Sequence, residues 1–472
     1  MAVATTEPTP DAGASSSSSP PTIRILETVF VQPPTSPPES SLPFTFFDIF
    51  WVNSPPVERL FLYRLAPDAD VDAILSNLKT SLSEAVRAFY PLAGRVRLAP
   101  GTADRYELHY RPGDGVTFAV AEYEGGKELD ELAADDAREV AAVAPFLPPL
   151  PAGGAVLALQ ATLLSGRRRG LALGVALHHA ACDGAASTHF LHTWASICTG
   201  APPPQSPIID RSLLADPRGL YDVFYTAVPT RDESEFVKMS PDQLLATFVL
   251  SKDDLQRVKD AVAAEAGRRG VATPPRCSSF VAALGLVWSC YHRANKEASN
   301  GDAEDDAGGP TCLLFAVDHR SRMKPPVPGT YLGNCVGPAF AIAPRDELAM
   351  APGAGGLFSA CAAVAASIQE AVSEFGTPRM DTWMERVREA SAMRTLSVAG
   401  SPRFRVYEMD FGFGTPAKVD IVSVARTGAV AVAESRYGPG GMEVGVSLQP
   451  HGMDMFRKFF ADAMAWLNAE AE

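Results

Sequence analysis

At 472 residues the chain exceeds one ordinary hydrophobic core, and its length points to two domains. A net charge of -14 and a pI near 5.1 argue against nucleic acid or another polyanion as partner, although 41 lysines and arginines leave room for a locally basic pocket. The apolar fraction of 46% is that of a globular protein, and no apolar run is seen that approaches the roughly 20 residues needed to cross a bilayer, so no membrane segment is expected.

Residues 1–22, MAVATTEPTPDAGASSSSSPPT, lack aromatics and any apolar h-region, and read as a flexible tail without a signal peptide. Seven scattered cysteines, odd in number and without CxxC spacing, fit reduced thiols in a cytoplasmic protein. From Ile23 the text TIRILETVFVQP alternates as a strand, and SLPFTFFDIF with VERLFLYRL forms an aromatic-rich segment. VDAILSNLKTSLSEAVRAF, residues 71–89, has the apolar spacing of an amphipathic helix that stops before Pro91. AVLALQATLL and LALGVALHH flank SGRRRG and predict a β-hairpin with an arginine-bearing tip. AASTHFLHTWASICTG predicts a helix closed by Gly200.

A loop-rich stretch follows, and the crossover between domains is placed at residues 216–245, separating 23–215 from 246–472. ATFVLSKDDLQRVKDAVAAEA reads as a strand and a helix with Ser251 as N-cap. CSSFVAALGLVWSCYHRA is a core helix, with Trp288 and Cys290 as packing residues, and residues 295–311 form an acidic surface loop. CLLFAVDHR, GLFSACAAVAASIQEAV, the strand pair KVDIVSVAR and GAVAVAESR, the hairpin strand GMEVGVSL and a terminal helix complete the second half. Both halves read as mixed sheet with helices, α/β or α+β.

The chemistry centres on HHAACDG, residues 178–184, between a buried strand and a helix. A neutral imidazole suits removal of a proton from a hydroxyl or amine near neutral pH, which makes His179 a candidate general base. Asp183 is either an orienter of His179 or an anchor for the loop; Gly184 directly after it favours a tight turn and the anchor. A metal site would require both histidines on one ion, yet neighbours on a strand point to opposite faces, and no HExxH occurs. GxSxG, GxxxxGK[ST] and a Rossmann GxGxxG are absent too.

HHAACDG resembles the HxxxDG motif of the plant BAHD acyl-CoA-dependent acyltransferases, and DFGFG, residues 410–414, resembles their second signature, usually DFGWG. LPFTFFDIFW, PPVERLFLY, FYPLAGRV and VDHRSRMKPPVPGTYLGNC extend the match from Ile23 to the end, and YLGNC is similar to the YFGNC element of the clade acylating anthocyanin, flavonoid and phenolic glycosides. The resemblance implies a monomer of two similar chloramphenicol acetyltransferase-like domains with a channel between them. It implies acyl-CoA as co-substrate, no permanent cofactor or metal, and a phenolic glycoside acceptor, with malonyl favoured over a hydroxycinnamoyl donor. His179 would be the base, and Asp183 a structural partner of Arg320, or alternatively of Arg322. Asp410, Gly412, Phe413 and Gly414 would shape the channel, with Phe413 where a tryptophan N–H donor is usual. Ser251 and Lys252 would meet CoA phosphates at a helix start. A malonyl carboxylate calls for a buried cation, for which Arg320, Arg322 and Arg436 are the candidates.

Overall fold

A computed structural model of the chain describes residues 22–166, 169–228, 240–272, 277–298 and 309–470. The tail up to residue 21, Arg167 and Arg168 of the hairpin tip, and residues 299–308 of the acidic stretch lie outside the described residues.

The first half runs β1 (Thr22–Val31), β2 (Ser40–Pro43), β3 (Val57–Arg64), α1 (Val71–Ala88), β4 (Arg95–Leu98), β5 (Tyr106–Tyr110) and β6 (Val116–Glu124). It continues through α2 (Leu129–Leu132), β7 (Arg138–Glu139), α3 (Val140–Val143), β8 (Leu157–Leu164), β9 (Gly170–Leu177), α4 (Gly184–Thr199) and α5 (Leu220–Ala227). The second half begins with β10 (Leu244–Leu250), α6 (Lys252–Arg269), α7 (Ser279–Ala298), β11 (Pro310–Asp318), β12 (Val336–Pro344), α8 (Arg345–Leu348), α9 (Gly356–Glu374) and α10 (Trp383–Ala392). It ends with β13 (Leu396–Gly400), β14 (Lys418–Ile421), α11 (Val424–Thr427), β15 (Ala429–Glu434), β16 (Met442–Leu448) and α12 (Pro450–Ala469).

Two mixed sheets organise these elements, one in the order β1-β6-β8-β9-β3-β14 and the other β12-β11-β13-β15-β16-β10-β7, with a small sheet β2-β5-β4 beside the first. Helices α1 and α4 cover the first sheet through Leu78, Leu82, Val86, Phe190 and Trp194, all buried. The second sheet is covered by α6, α7, α9 and α12 around Trp288, Val364 and Phe456. A third apolar cluster, including Leu60, Leu62, Leu245 and Val422, fills the junction of the two sheets. The fold is therefore α/β with two layered halves, as the alternation of elements predicts.

The sheets exchange strands, and here the sequence expectation is corrected. KVDIVSVAR and GAVAVAESR do not pair with each other: β14 runs antiparallel to β3 of the first sheet, Lys418 opposite Leu62, whereas β15 lies between β13 and β16 of the second. Local alternation cannot reveal this, because the chain leaves the strand after Ile421 and enters the short α11, and Val422 and Val424 join the apolar cluster of Leu60 and Leu62. Reciprocally, β7 joins the second sheet by pairing with β10. Buried charges accompany the exchange. Arg138 donates to both oxygens of Asp420 at 2.8 and 3.0 Å, and Lys418 reaches Asp135 at 2.6 Å. Ionised groups this deep require such partners.

Three further expectations change. The crossover region holds the helix α5, the acidic stretch begins inside α7, and α9 is long and apolar enough to cross a bilayer, contrary to the expectation of no such run. In the fold α9 packs on α7 and β12 with Leu357, Ala360 and Val364 buried, because its alanine-rich surface permits close approach of neighbouring elements.

Candidate active site

Strand β9 is buried along its whole length, between β8 and β3, and delivers the two histidines just past its last residue, Leu177. They stand in a turn and not on the strand: the Ala181 amide donates to the His178 carbonyl at 3.0 Å, and the Ala180 amide to His178 Nδ1 at 3.2 Å. Burial pushes His178 down to about 4, so this ring is neutral and already engaged as an acceptor.

His179 is held differently. Its ring lies on the Trp51 indole, centroids 3.7 Å apart and planes 20° from parallel, and its Nδ1 is buried without a hydrogen-bond partner. The residue as a whole is only partly buried, and Nε2, unlike Nδ1, is not a buried unpaired atom. Burial lowers its pKa, the Asp183 charge opposing that shift and the Arg59 charge adding to it. A base with a lowered pKa stays neutral further into acid. If His179 is the base, kcat/KM is expected to be flat through neutral pH and to fall only below about pH 6.5, on protonation of the ring. A pH–rate profile with its acid limb above that value would contradict this placement.

Asp183 does not orient the imidazole. It is the N-cap of α4, with Oδ1 accepting from the Ala186 amide at 3.1 Å, and Gly184 is the first helical residue. Arg320, itself 4% exposed, holds both carboxylate oxygens, at 2.8 Å to Oδ2 and 3.0 Å to Oδ1, while the Cys335 amide donates to Oδ2 at 3.0 Å. Asp183 thereby ties the turn of the first half to β11, β12 and the connection between them in the second. Arg322 lies on the surface and donates to the Asp318 carbonyl. Gly184 admits no side chain, since a Cβ there would lie 2.5 Å from the Phe404 ring.

Two residues that sequence reasoning left without a role complete the support. Asn334, of YLGNC, donates through Nδ2 to the His179 carbonyl at 3.0 Å and to Asp48 Oδ1 at 2.9 Å, and both Asn334 and Asp48 are fully buried. Asp48 Oδ2 in turn accepts from the Thr45 amide and hydroxyl, at 2.9 and 2.8 Å, fixing the LPFTFFDIFW segment that carries Trp51. The signal was present in both quoted motifs, but their meeting across 286 residues is tertiary.

The DFGFG loop is a self-bonded turn. Asp410 Oδ1 accepts from the Gly412 and Gly414 amides at 2.7 and 2.9 Å, and both glycines have φ near +95° to +99°, a region that side chains disfavour. Phe411 meets Trp194 of α4 edge-on at 4.7 Å, and Phe413 meets Tyr63 of β3 at 4.9 Å. Phenylalanine at 413 thus packs through its ring alone and secures the loop without an indole donor.

Ser251 and Lys252 stand apart from this cluster, at the end of β10. Ser251 caps α6 in a reciprocal box with Asp254, and the exposed Lys252 lies along Gly440 in the β15–β16 turn. Of the arginines considered for a carboxylate, Arg320 is committed to Asp183, and Arg436 to Asp135, Glu443 and Tyr407.

A family profile described as Transferase family matches residues 22–463. Among curated relatives, phenolic glucoside malonyltransferase 1 of Arabidopsis thaliana is 32% identical, over 92% of this chain and 96% of the relative. Coumaroyl-CoA:anthocyanidin 3-O-glucoside-6''-O-coumaroyltransferase 1 of the same plant is 30% identical, with 92% and 96% covered. Among solved structures, vinorine synthase superposes with a TM-score of 0.71 at 18% identity, covering 92% of this chain and 96% of that one, which establishes a shared fold.

Proposed function

The chain belongs to the Transferase family, the BAHD acyl-CoA-dependent acyltransferases, and from that premise we propose that it moves a malonyl group from malonyl-CoA to a sugar hydroxyl of a phenolic or flavonoid glucoside, with His179 as general base. The observation that carries the reading is the setting of His179: an imidazole kept neutral by burial, stacked on Trp51, with Nδ1 buried and unpaired and the residue itself only partly buried.

The acceptor hydroxyl gives its proton to His179 Nε2 as its oxygen attacks the thioester carbonyl. The tetrahedral intermediate collapses with cleavage of the C–S bond, and the departing CoA thiolate takes the proton back from the imidazolium. A thioester is already activated, so the residues need only position two substrates and move one proton, and no acyl-enzyme forms. Asp183 and Arg320 hold the turn that presents the base, while DFGFG braces α4 and β3 behind it. Ser251 and Lys252 are assigned to the CoA phosphates, and the protein is taken to act as a cytoplasmic monomer. A second reading, transfer from a hydroxycinnamoyl-CoA to a phenolic or amine acceptor, is favoured by the similarity to a coumaroyltransferase.

The test follows free-thiol release and product mass with malonyl-CoA and p-coumaroyl-CoA over a panel of phenolic and flavonoid glucosides and amines. Glucoside-dependent release with malonyl-CoA is the expected result. Release with p-coumaroyl-CoA alone would replace the malonyl reading by the second, and no release from any donor would remove the transfer reading.

A further inference from the structure

Alternation along β3 puts Arg59 on the same face as Phe61 and Tyr63, toward the helices, and away from Glu58, Leu60 and Leu62. Arg59 is 6% exposed, yet among the described residues it meets no carboxylate. Its contacts are a hydrogen bond from Nη1 to the Thr188 hydroxyl at 3.1 Å and the Phe404 ring, 5.7 Å from the guanidinium carbon. Other buried arginines hold a carboxylate: Arg138 pairs with Asp420 and Arg320 with Asp183. A buried cation without an anion is costly, and it demands a reason.

The reason is the space it faces. Arg59 lines a small recess at the junction of the two sheets, partly open to solvent, with Thr247, Ser401, Phe404, Val406 and Val419 among its walls. Two carboxylates also reach this recess, Asp420 and Glu443, but each is matched by its own arginine, Arg138 and Arg436. The recess reaches the start of α4, the helix that follows the turn of the proposed base. Phe404 packs against Gly184, its carbonyl accepts from His192 of α4 at 2.9 Å, and Thr188 lies on α4 five residues after Asp183.

We propose that Arg59, oriented by Thr188, is the subsite that binds the free carboxylate of a dicarboxylic acyl group while its thioester carbon lies at His179. The planar guanidinium retains Nε and Nη2 as donors, the fork that grips a carboxylate through two bonds. A neutral acyl group would leave this cation unmatched, so the subsite selects malonyl-like donors over acetyl. The inference rests on the transfer reading above and adds to it the residue that reads the acyl charge.

The test compares kcat/KM for malonyl-CoA and acetyl-CoA, with one neutral glucoside acceptor, in the wild type, Arg59→Met and Thr188→Val. Methionine keeps the apolar bulk and removes the charge together with the hydrogen bond to Thr188. Arg59→Met is expected to lower the malonyl-to-acetyl ratio about 100-fold, with a smaller fall in Thr188→Val. An unchanged ratio, or equal loss for both donors, would overturn the proposal. If Arg59→Met does not fold, Arg59→Lys, which keeps charge without the fork, is expected to lower the ratio about tenfold. Should the wild type transfer no malonyl group, the reading above fails. Calorimetric binding of malonyl-CoA against acetyl-CoA to wild type and variant then still decides whether Arg59 prefers the carboxylate.

Discussion

Replacing His179 with alanine is expected to lower kcat for acyl transfer by roughly 100- to 10,000-fold, the range for loss of a positioned general base. The ring stacks on Trp51, and Asn334 fixes the backbone carbonyl. Truncation therefore removes the proton acceptor and leaves the turn, because the Asp183 contacts to Ala186, Arg320 and Cys335 do not involve the imidazole. Rapid-mixing measurement of thiol release, with circular dichroism to check the fold, reads the effect. A variant that keeps its rate within a few-fold would show that another group takes the proton, and the assignment of His179 would be lost.

Asp183→Ala is expected to act on stability first, by about 3–5 kcal/mol, the cost of leaving one member of a buried ion pair uncompensated. Asp183 is 2% exposed and Arg320 4%, so the guanidinium would keep only the longer contact to the half-exposed Asp318, at 3.4 Å, and two backbone carbonyls. The same change removes the α4 cap, worth about 1 kcal/mol. Denaturant unfolding measures the loss, and Arg320→Met added to Asp183→Ala is expected to recover part of it by removing the stranded charge. If Asp183 served instead to orient the base, the single variant would unfold like wild type and lose only kcat.

Much of the local structure was legible without coordinates. The apolar spacing of residues 71–89 became α1, Gly200 closes α4 at φ 68°, and Ser251 caps α6, because each of these depends on residues within a turn or two of one another. HHAACDG lies between strand and helix as its flanking patterns predict, and the pairing of Asp183 with Arg320 follows from family resemblance and not from spacing. The role of Gly184 was read less well. The glycine points in the sequence to a tight turn, whereas in the fold Asp183 caps α4 and Gly184 is its first residue, with the Phe404 ring where a side chain would go.

The sequence by itself determined the periodicities, the caps and the identity of the titratable groups, since those properties reside in neighbouring residues. Which strand pairs with which, and which charge finds a mate, was decided only by the tertiary structure. β14 meets β3 across more than 350 residues, Asn334 reaches His179 across 155, and Arg59 is left facing a recess that strands from both halves line. No local pattern encodes such meetings: they follow from burying two sheets against one junction, where every buried charge must find a partner or be kept for a ligand.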